Sequence, residues 1–186
     1  MQVEQTGNTK SASQSDGLQA DLWANCFRKG TLGLLAGWLT SPGFRCVAVY
    51  RLAHWLRRKG RIGRGLSVLV EQINARRGCF ISSQAVIGPG LRMPHPTSIV
   101  IGEGSVIGRN AVIYQNVTLG RKNATDTAYP HLDDDVTVYA GAVLIGGIHI
   151  AKGAIIGAQC FVRKDVPSNA RCLMRAEPDV HVPPQD

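Results

Sequence analysis

Aromatic residues are scarce in this chain: 3 Trp, 4 Tyr and 4 Phe make up 6% of its 186 residues. A core filled by large rings is excluded. With 21 Gly, the composition points to a thin architecture packed by aliphatic side chains. No uncharged apolar run reaches about 18 residues, so a membrane-spanning helix is excluded. Residues 1–16 are rich in Gln, Ser, Thr and Gly and lack an apolar stretch. They read as a disordered tail and not as a secretory signal. The five cysteines, Cys26, Cys46, Cys79, Cys160 and Cys172, include no CxxC pair. They spell out neither a disulfide framework nor a zinc site, and read as reduced, buried thiols of a cytoplasmic protein.

Acids are missing from one region above all. From Arg45 to Arg92, ten Lys or Arg stand against one acid, Glu71, so this segment carries +9 in a chain of net +8. Such a basic surface is suited to an anionic membrane, a polyanion or a phosphorylated ligand. No aromatic-basic interleaving of a nucleic-acid module accompanies it, so nucleic acid is not an expected partner.

Residues 17–78 read as helical. Leu18, Leu22, Cys26 and Phe27 have helical spacing; Ser41 and Pro42 then mark a helix start, as N-cap and first-turn proline. Phe44, Val47, Leu52, Trp55 and Leu56 line one face of that helix, and Gly60 and Gly63 punctuate its end. A third helix is expected to bury Leu66, Leu69, Val70 and Ile73 and to stop near Gly78.

After Gly78 the period becomes six. Aliphatic residues recur at Ile81, Ile87, Met93, Ile101, Ile107, Ile113, Leu119, Leu132, Val138, Leu144, Ile150, Ile156 and Val162, thirteen hexads in all. The place after each is often Gly or Ala, and the fifth place is small or β-branched: Ala85, Ser105, Ala111, Val117, Val136, Ala142, Ala154, Cys160. Only the insertion Ile99–Val100 and a loop between Gly120 and Leu132 disturb the phase. A period of six suits neither a helix nor an ordinary strand; it predicts a β-helix with three flat faces per coil over residues 79–167. Residues 168–186 are expected to be a tail.

These hexads resemble those of the hexapeptide-repeat acyltransferases, which fold as left-handed parallel β-helices. The flanking strings resemble the serine acetyltransferase-like group: Gly43-Phe44-Arg45 through Tyr50-Arg51-Leu52-Ala53-His54-Trp55, Val100-Ile101-Gly102-Glu103, Tyr114-Gln115-Asn116-Val117-Thr118-Leu119-Gly120, and Lys164-Asp165-Val166-Pro167. The resemblance implies an acetyl-CoA-dependent O-acetyltransferase and a homotrimer. Acetyl-CoA would serve as co-substrate, with no permanently bound cofactor. His95, just before the Val-Ile-Gly-Glu string, would be the general base of a direct transfer. Gly120, Ala140, Gly141, Ala158 and Lys164 match the coenzyme A contacts, and Arg163 is a further candidate for its phosphates.

Some positions depart from the serine enzymes. Pro94 and Phe80 stand where those enzymes place two Asp residues, and Ala128-Tyr129-Pro130 stands where they read Arg-His-Pro. A zwitterionic acceptor needs paired charges to offset its desolvation, so these departures weigh against L-serine. The Pro130-His131 order is similar to the colanic-acid-type exopolysaccharide O-acetyltransferases. On that reading the acceptor is a sugar hydroxyl, with His131 as a second active-site histidine and Tyr129 and Glu103 as acceptor contacts. The enzyme is then expected in the cytoplasm, at the inner face of the membrane. The alternatives are a serine O-acetyltransferase of cysteine biosynthesis and a non-catalytic β-helix module. No metal site is implied; Asp133-Asp134-Asp135 reads as a solvated turn.

Overall fold

The computed structural model describes residues 14–174. Four helices come first: α1 (Gln14–Cys26), α2 (Gly30–Thr40), α3 (Pro42–Arg57) and α4 (Gly60–Ala75). The tail expected over residues 1–16 lies outside the described residues up to 13, and α1 begins within it.

Thirteen short strands then climb in five coils. The first holds β1 (Cys79–Ile81) and β2 (Val86–Ile87). The second holds β3 (Ile99–Ile101), β4 (Val106–Ile107) and β5 (Val112–Ile113). The third holds β6 (Thr118–Gly120), β7 (His131–Leu132) and β8 (Thr137–Val138). The fourth holds β9 (Val143–Ile145), β10 (His149–Ile150) and β11 (Ile155–Ile156), and the fifth β12 (Phe161–Val162) and β13 (Arg171–Cys172). Every strand pairs in parallel with its counterpart one coil away. Sheet I is β1-β3-β6-β9-β12, sheet II β2-β4-β7-β10, and sheet III β5-β8-β11-β13. All thirteen hexad aliphatics and all eight fifth-place residues are buried, forming one continuous column. Polar Asn110, Asp135 and Asn169, with Gly90 and Gly153, take left-handed backbone at the corner between sheets II and III. There a short polar side chain or none tolerates the turn. The ladder does not stop at Pro167: Val166 bridges to Ile150 and β13 pairs with β11, so residues up to 172 belong to the β-helix, and the tail expected beyond 174 lies outside the described residues.

The helices depart from expectation at several points, and on α3 Leu52 and Trp55 of the expected face are exposed. The first helix divides at Gly30, whose φ is +75°. Gly63 lies inside α4 instead of ending α3, because a Cβ there would meet the Leu56 carbonyl oxygen at 2.2 Å. More consequentially, α4 is turned over. It buries Gly63, Ser67 and Asn74 and presents Ile62, Leu66, Leu69 and Ile73 outward.

The helices close the open end of the first coil with side chains. Asp21 is fully buried, and its Oδ1 accepts from the Gly90 and Leu91 amides at 2.9 and 3.0 Å while Arg51 pairs with both its oxygens. Arg51 also donates to the carbonyls of Ile87 and Gly88. Asn25 donates to Leu91 O and accepts from Met93 N. Tyr50 donates to Ala85 O at 2.7 Å, His54 Nδ1 meets Ser83 O at 2.9 Å, and Glu71 accepts from Ser83 N. Six side chains thus satisfy a backbone edge that would otherwise recruit another strand. Gly43 permits the approach, since a Cβ there would sit 2.2 Å from Met93 O.

Candidate active site

The site residues fall on the two edges of sheet I. The edge between sheets III and I carries residues 94–98, 114–117, 139–142 and 157–160, stacked coil on coil. Asn116 N donates to Thr97 O, Gly141 N to Gln115 O, and Gln159 N to Ala140 O. His95, Ala140, Gly141 and Ala158 therefore share this edge. The opposite edge, between sheets I and II, carries Glu103, Gly120, Tyr129, Arg163 and Lys164.

His95 sits where the coil makes room for it. Pro94 and Pro96 flank it, and none of residues 94–98 is buried. Its side chain is exposed, and nothing among the described residues hydrogen-bonds its ring. The turn beside it is held from below: the Cys79 thiol donates to Pro96 O at 2.8 Å. A cavity of about 190 Å³ opens there, lined by Arg45, Cys46, Asn74, Arg77, Cys79 and Thr97. The hydrogen bond with Cys79 and burial push the Cys46 thiol up from its ordinary value. Two residues the sequence reading did not single out complete this edge. The rings of Tyr114 and Tyr139 stack with centroids 5.0 Å apart. Their signal was available, since both occupy the place after the inward aliphatic, usually Gly or Ala.

On the far edge the loop 121–130 brings Tyr129 back across the second coil. Its ring lies on Gly102 and Gly104, where a Cβ would come within 2.4 and 2.3 Å of ring carbons. Its hydroxyl reaches Glu103 Oε1 at 3.4 Å, and Glu103 Oε2 accepts from Gln84 at 3.1 Å. Gly120 is open: a Cβ there would make only ordinary contacts with Ile145 and Thr118, at 3.6 and 3.8 Å. Arg163 and Lys164 are exposed one coil beyond Ile145.

His131 is not brought to either edge. It stands on the outer face of sheet II in register with His149, their ring centroids 5.3 Å apart. Asp133 Oδ1 lies 2.9 Å from His149 Nε2 and 3.7 Å from His131 Nε2. The hydrogen bond from His149 holds the Asp133 carboxyl below the usual carboxylate range. The three aspartates are a turn with defined partners: Asp134 accepts from Arg109 N and Asp135 from Asn110. No metal-binding group occurs among the described residues.

The four residue-to-residue steps from Ser98 to Gly102 span roughly 13 Å of extended chain. One chain therefore holds His95 and the Tyr129–Lys164 set apart, with sheet I between them. The outer face of sheet I is apolar: Phe80, Val100, Thr118, Val143 and Phe161 form one cross-strand row. Phe80 and Phe161 are 56% and 61% exposed, which marks the face as a contact surface.

No family model matches the chain. Among curated proteins it is similar to the serine acetyltransferase of Salmonella typhimurium, 38% identical over 127 residues that cover 67% of this chain and 46% of the relative. The serine acetyltransferase of Synechococcus elongatus is 38% identical over 134 residues, covering 70% and 54%. The chain spans about half the length of these curated relatives. Among solved structures, soybean serine acetyltransferase superposes with a TM-score of 0.76 at 34% identity, covering 86% of this chain and 65% of that one. The Neisseria gonorrhoeae serine acetyltransferase in complex with serine gives 0.75 at 32% identity, covering 89% and 68%. These neighbours share the left-handed β-helix. All of them are named serine acetyltransferases, so the finer likeness to colanic-acid-type enzymes gains no support from them. With more than two thirds of the gonococcal structure covered, the chain belongs to the hexapeptide-repeat acyltransferase family.

Proposed function

We propose that the chain is an acetyl-CoA-dependent O-acetyltransferase whose site forms between two copies, each giving one edge of sheet I. The observation that carries this reading is the exposed His95 ring, hydrogen-bonded by none of the described residues, on the edge that also presents Ala140, Gly141 and Ala158. A neutral imidazole there takes the proton of an acceptor hydroxyl as its oxygen attacks the thioester carbonyl. Backbone N–H groups at the coil corners stabilise the oxyanion. Collapse expels the coenzyme A thiolate, which takes the proton back from the imidazolium. Capture of a related serine acetyltransferase with CoA supports the co-substrate.

Turning sheet I toward a three-fold axis buries its apolar row and places the His95 edge of one chain against the Tyr129–Lys164 edge of the next. The outward stripe of α4 borders the same side, across a cavity of about 280 Å³ lined by Gln72, Ala75, Phe80 and Val100. The apolar face and the divided site support a homotrimer.

For the acceptor, the relatives favour L-serine over a sugar. A sugar hydroxyl is the second reading, carried by Pro94, Phe80, Ala128 and Tyr129. None of these charge-free side chains supplies the counter-charges that a zwitterion needs. A thiol-release assay with acetyl-CoA, run with L-serine and with an oligosaccharide panel, separates the two. Saturable turnover of serine supports the first reading. Turnover of sugars alone transfers the proposal to the second, and turnover of neither acceptor overturns both.

A further inference from the structure

The face formed by the end of α1 and by α2 has no role in acetyl transfer. Helix α2 contains no charged residue. It lays Gly33 and Gly37 onto Leu22, and at Gly37 also onto Phe44, where a Cβ would come within 3.3 and 2.5 Å of the leucine. That packing turns Leu35, Trp38 and Leu39 outward, 60%, 43% and 66% exposed, beside the exposed rings of Trp23 and Phe27. Cations frame the patch. Lys29 Nζ sits 5.0 Å from the Trp23 ring centroid, and Arg45 donates to the carbonyls of Trp38 and Leu39 at the C-terminal end of α2. Leaving out Arg51, which Asp21 neutralises, the chain from Leu22 to Val70 has eight Lys or Arg and no acid. Asp21, just before this stretch, is buried against Arg51.

We propose that this face docks on an anionic phospholipid bilayer, with α2 lying in the interface. Apolar side chains and tryptophans framed by cations, in a region without acids, match a negatively charged lipid surface. A protein partner would have to be unusually acidic to offer the same complementarity. Helix α2 lies on the membrane and does not cross it, since its 11 residues span about 16 Å. No single helix among the described residues is long and apolar enough to cross a bilayer. The inference is independent of the proposed acetyl transfer.

The test is co-sedimentation of the full chain with vesicles of phosphatidylcholine alone or mixed with phosphatidylglycerol, read together with tryptophan emission. All three tryptophans lie in the helical region, so emission reports that region alone. The expected result is binding to the anionic vesicles only, with a blue shift, reversed by high salt. The double variant Leu35→Glu/Leu39→Glu should weaken binding about tenfold or more at unchanged thermal stability. Arg28→Glu/Lys29→Glu should also weaken it. Absence of binding at low salt, equal binding to neutral vesicles, or binding untouched by the leucine variant overturns the proposal. So does a smaller assembly in the leucine variant with no vesicle binding in either protein, which would make the face a contact with a second copy.

Discussion

The β-helix and its helical cap are held together by opposite means. In the β-helix, stability is spread over a column of equivalent aliphatics, each touching the coil before and after it. The cap meets that column through Cys46, Val47 and Tyr50 of α3, which join its buried apolar cluster, and through six polar side chains, every one satisfying a particular backbone group at the open edge. A repeat tolerates the loss of one member, because its neighbours keep the register. A cap built from singular hydrogen bonds does not. Low-complexity packing and high-specificity docking therefore sit side by side in one chain.

The largest expected effect lies at the joint between the two regions. Asp21→Ala strips two backbone amides of their acceptor and leaves Arg51 buried without its counter-charge, at a cost of about 4 kcal/mol. Hydrogen exchange should show α1, α3 and the first coil losing protection while the third to fifth coils keep theirs. Uniform loss across all five coils would mean that cap and column unfold as one unit.

Within the column, Leu119→Ala removes a fully buried side chain and should cost about 3 kcal/mol, measured by denaturant unfolding. The same substitution at exposed Leu69 should cost well under 1 kcal/mol, about what an unpacked surface position gives. A large loss at Leu69 in the isolated chain would contradict the outward orientation of α4.

Alkaline pH probes the cap through Tyr50. Burial pushes the Tyr50 hydroxyl up to about 12 from its ordinary value of 10.0. Because the folded value lies above the unfolded one, this group's contribution is complete below pH about 10 and is lost as pH rises toward 12, by about 2 kcal/mol. Tyr50→Phe should flatten that part of the pH–stability curve. A slope that persists in the variant would assign the loss to other groups.

The smallest effect concerns the corners. Asn110 has a φ of +55°, so Asn110→Ala should cost about 1 kcal/mol and Asn110→Gly far less. Equal costs would mean that the hydrogen bond to Asp135, not the backbone conformation, decides the residue there.

The contrast between the regions also governs what the sequence could reveal. Ile81 to Val162 declared themselves because thirteen repetitions of one requirement stand out from chance. The cap offered no repetition. Leu66, Leu69 and Ile73 have the spacing of a buried face, yet the inward side of α4 is taken by Gly63, Ser67 and Asn74, because close approach and the Cys46 carbonyl call for small and polar groups. Periodicity marks which residues share a face, not which way the face turns. The site was legible in the same uneven way. His95 and the small residues at 140, 141 and 158 lie on one edge because hexad arithmetic places them there. His131 precedes the inward Leu132 on β7, so its ring emerges on the outer face of sheet II, while Tyr129 lies at the edge between sheets I and II. Nothing in a linear pattern says that the two halves of a site lie on opposite edges of one sheet.

Mixing two inactive variants tests that division most directly. His95→Ala removes the base from one edge. Gly120→Trp fills the groove on the other, at a position where added atoms meet only ordinary contacts in the chain itself. Each variant alone should assemble and lose nearly all acetyl transfer. Co-assembled in equal amounts, they should regain activity at about a quarter of the wild-type level, because one in four chain-to-chain contacts then pairs two intact edges. Mixed assemblies that stay inactive, or a monomer that turns over acetyl-CoA with the acceptor, would contradict a site shared between chains.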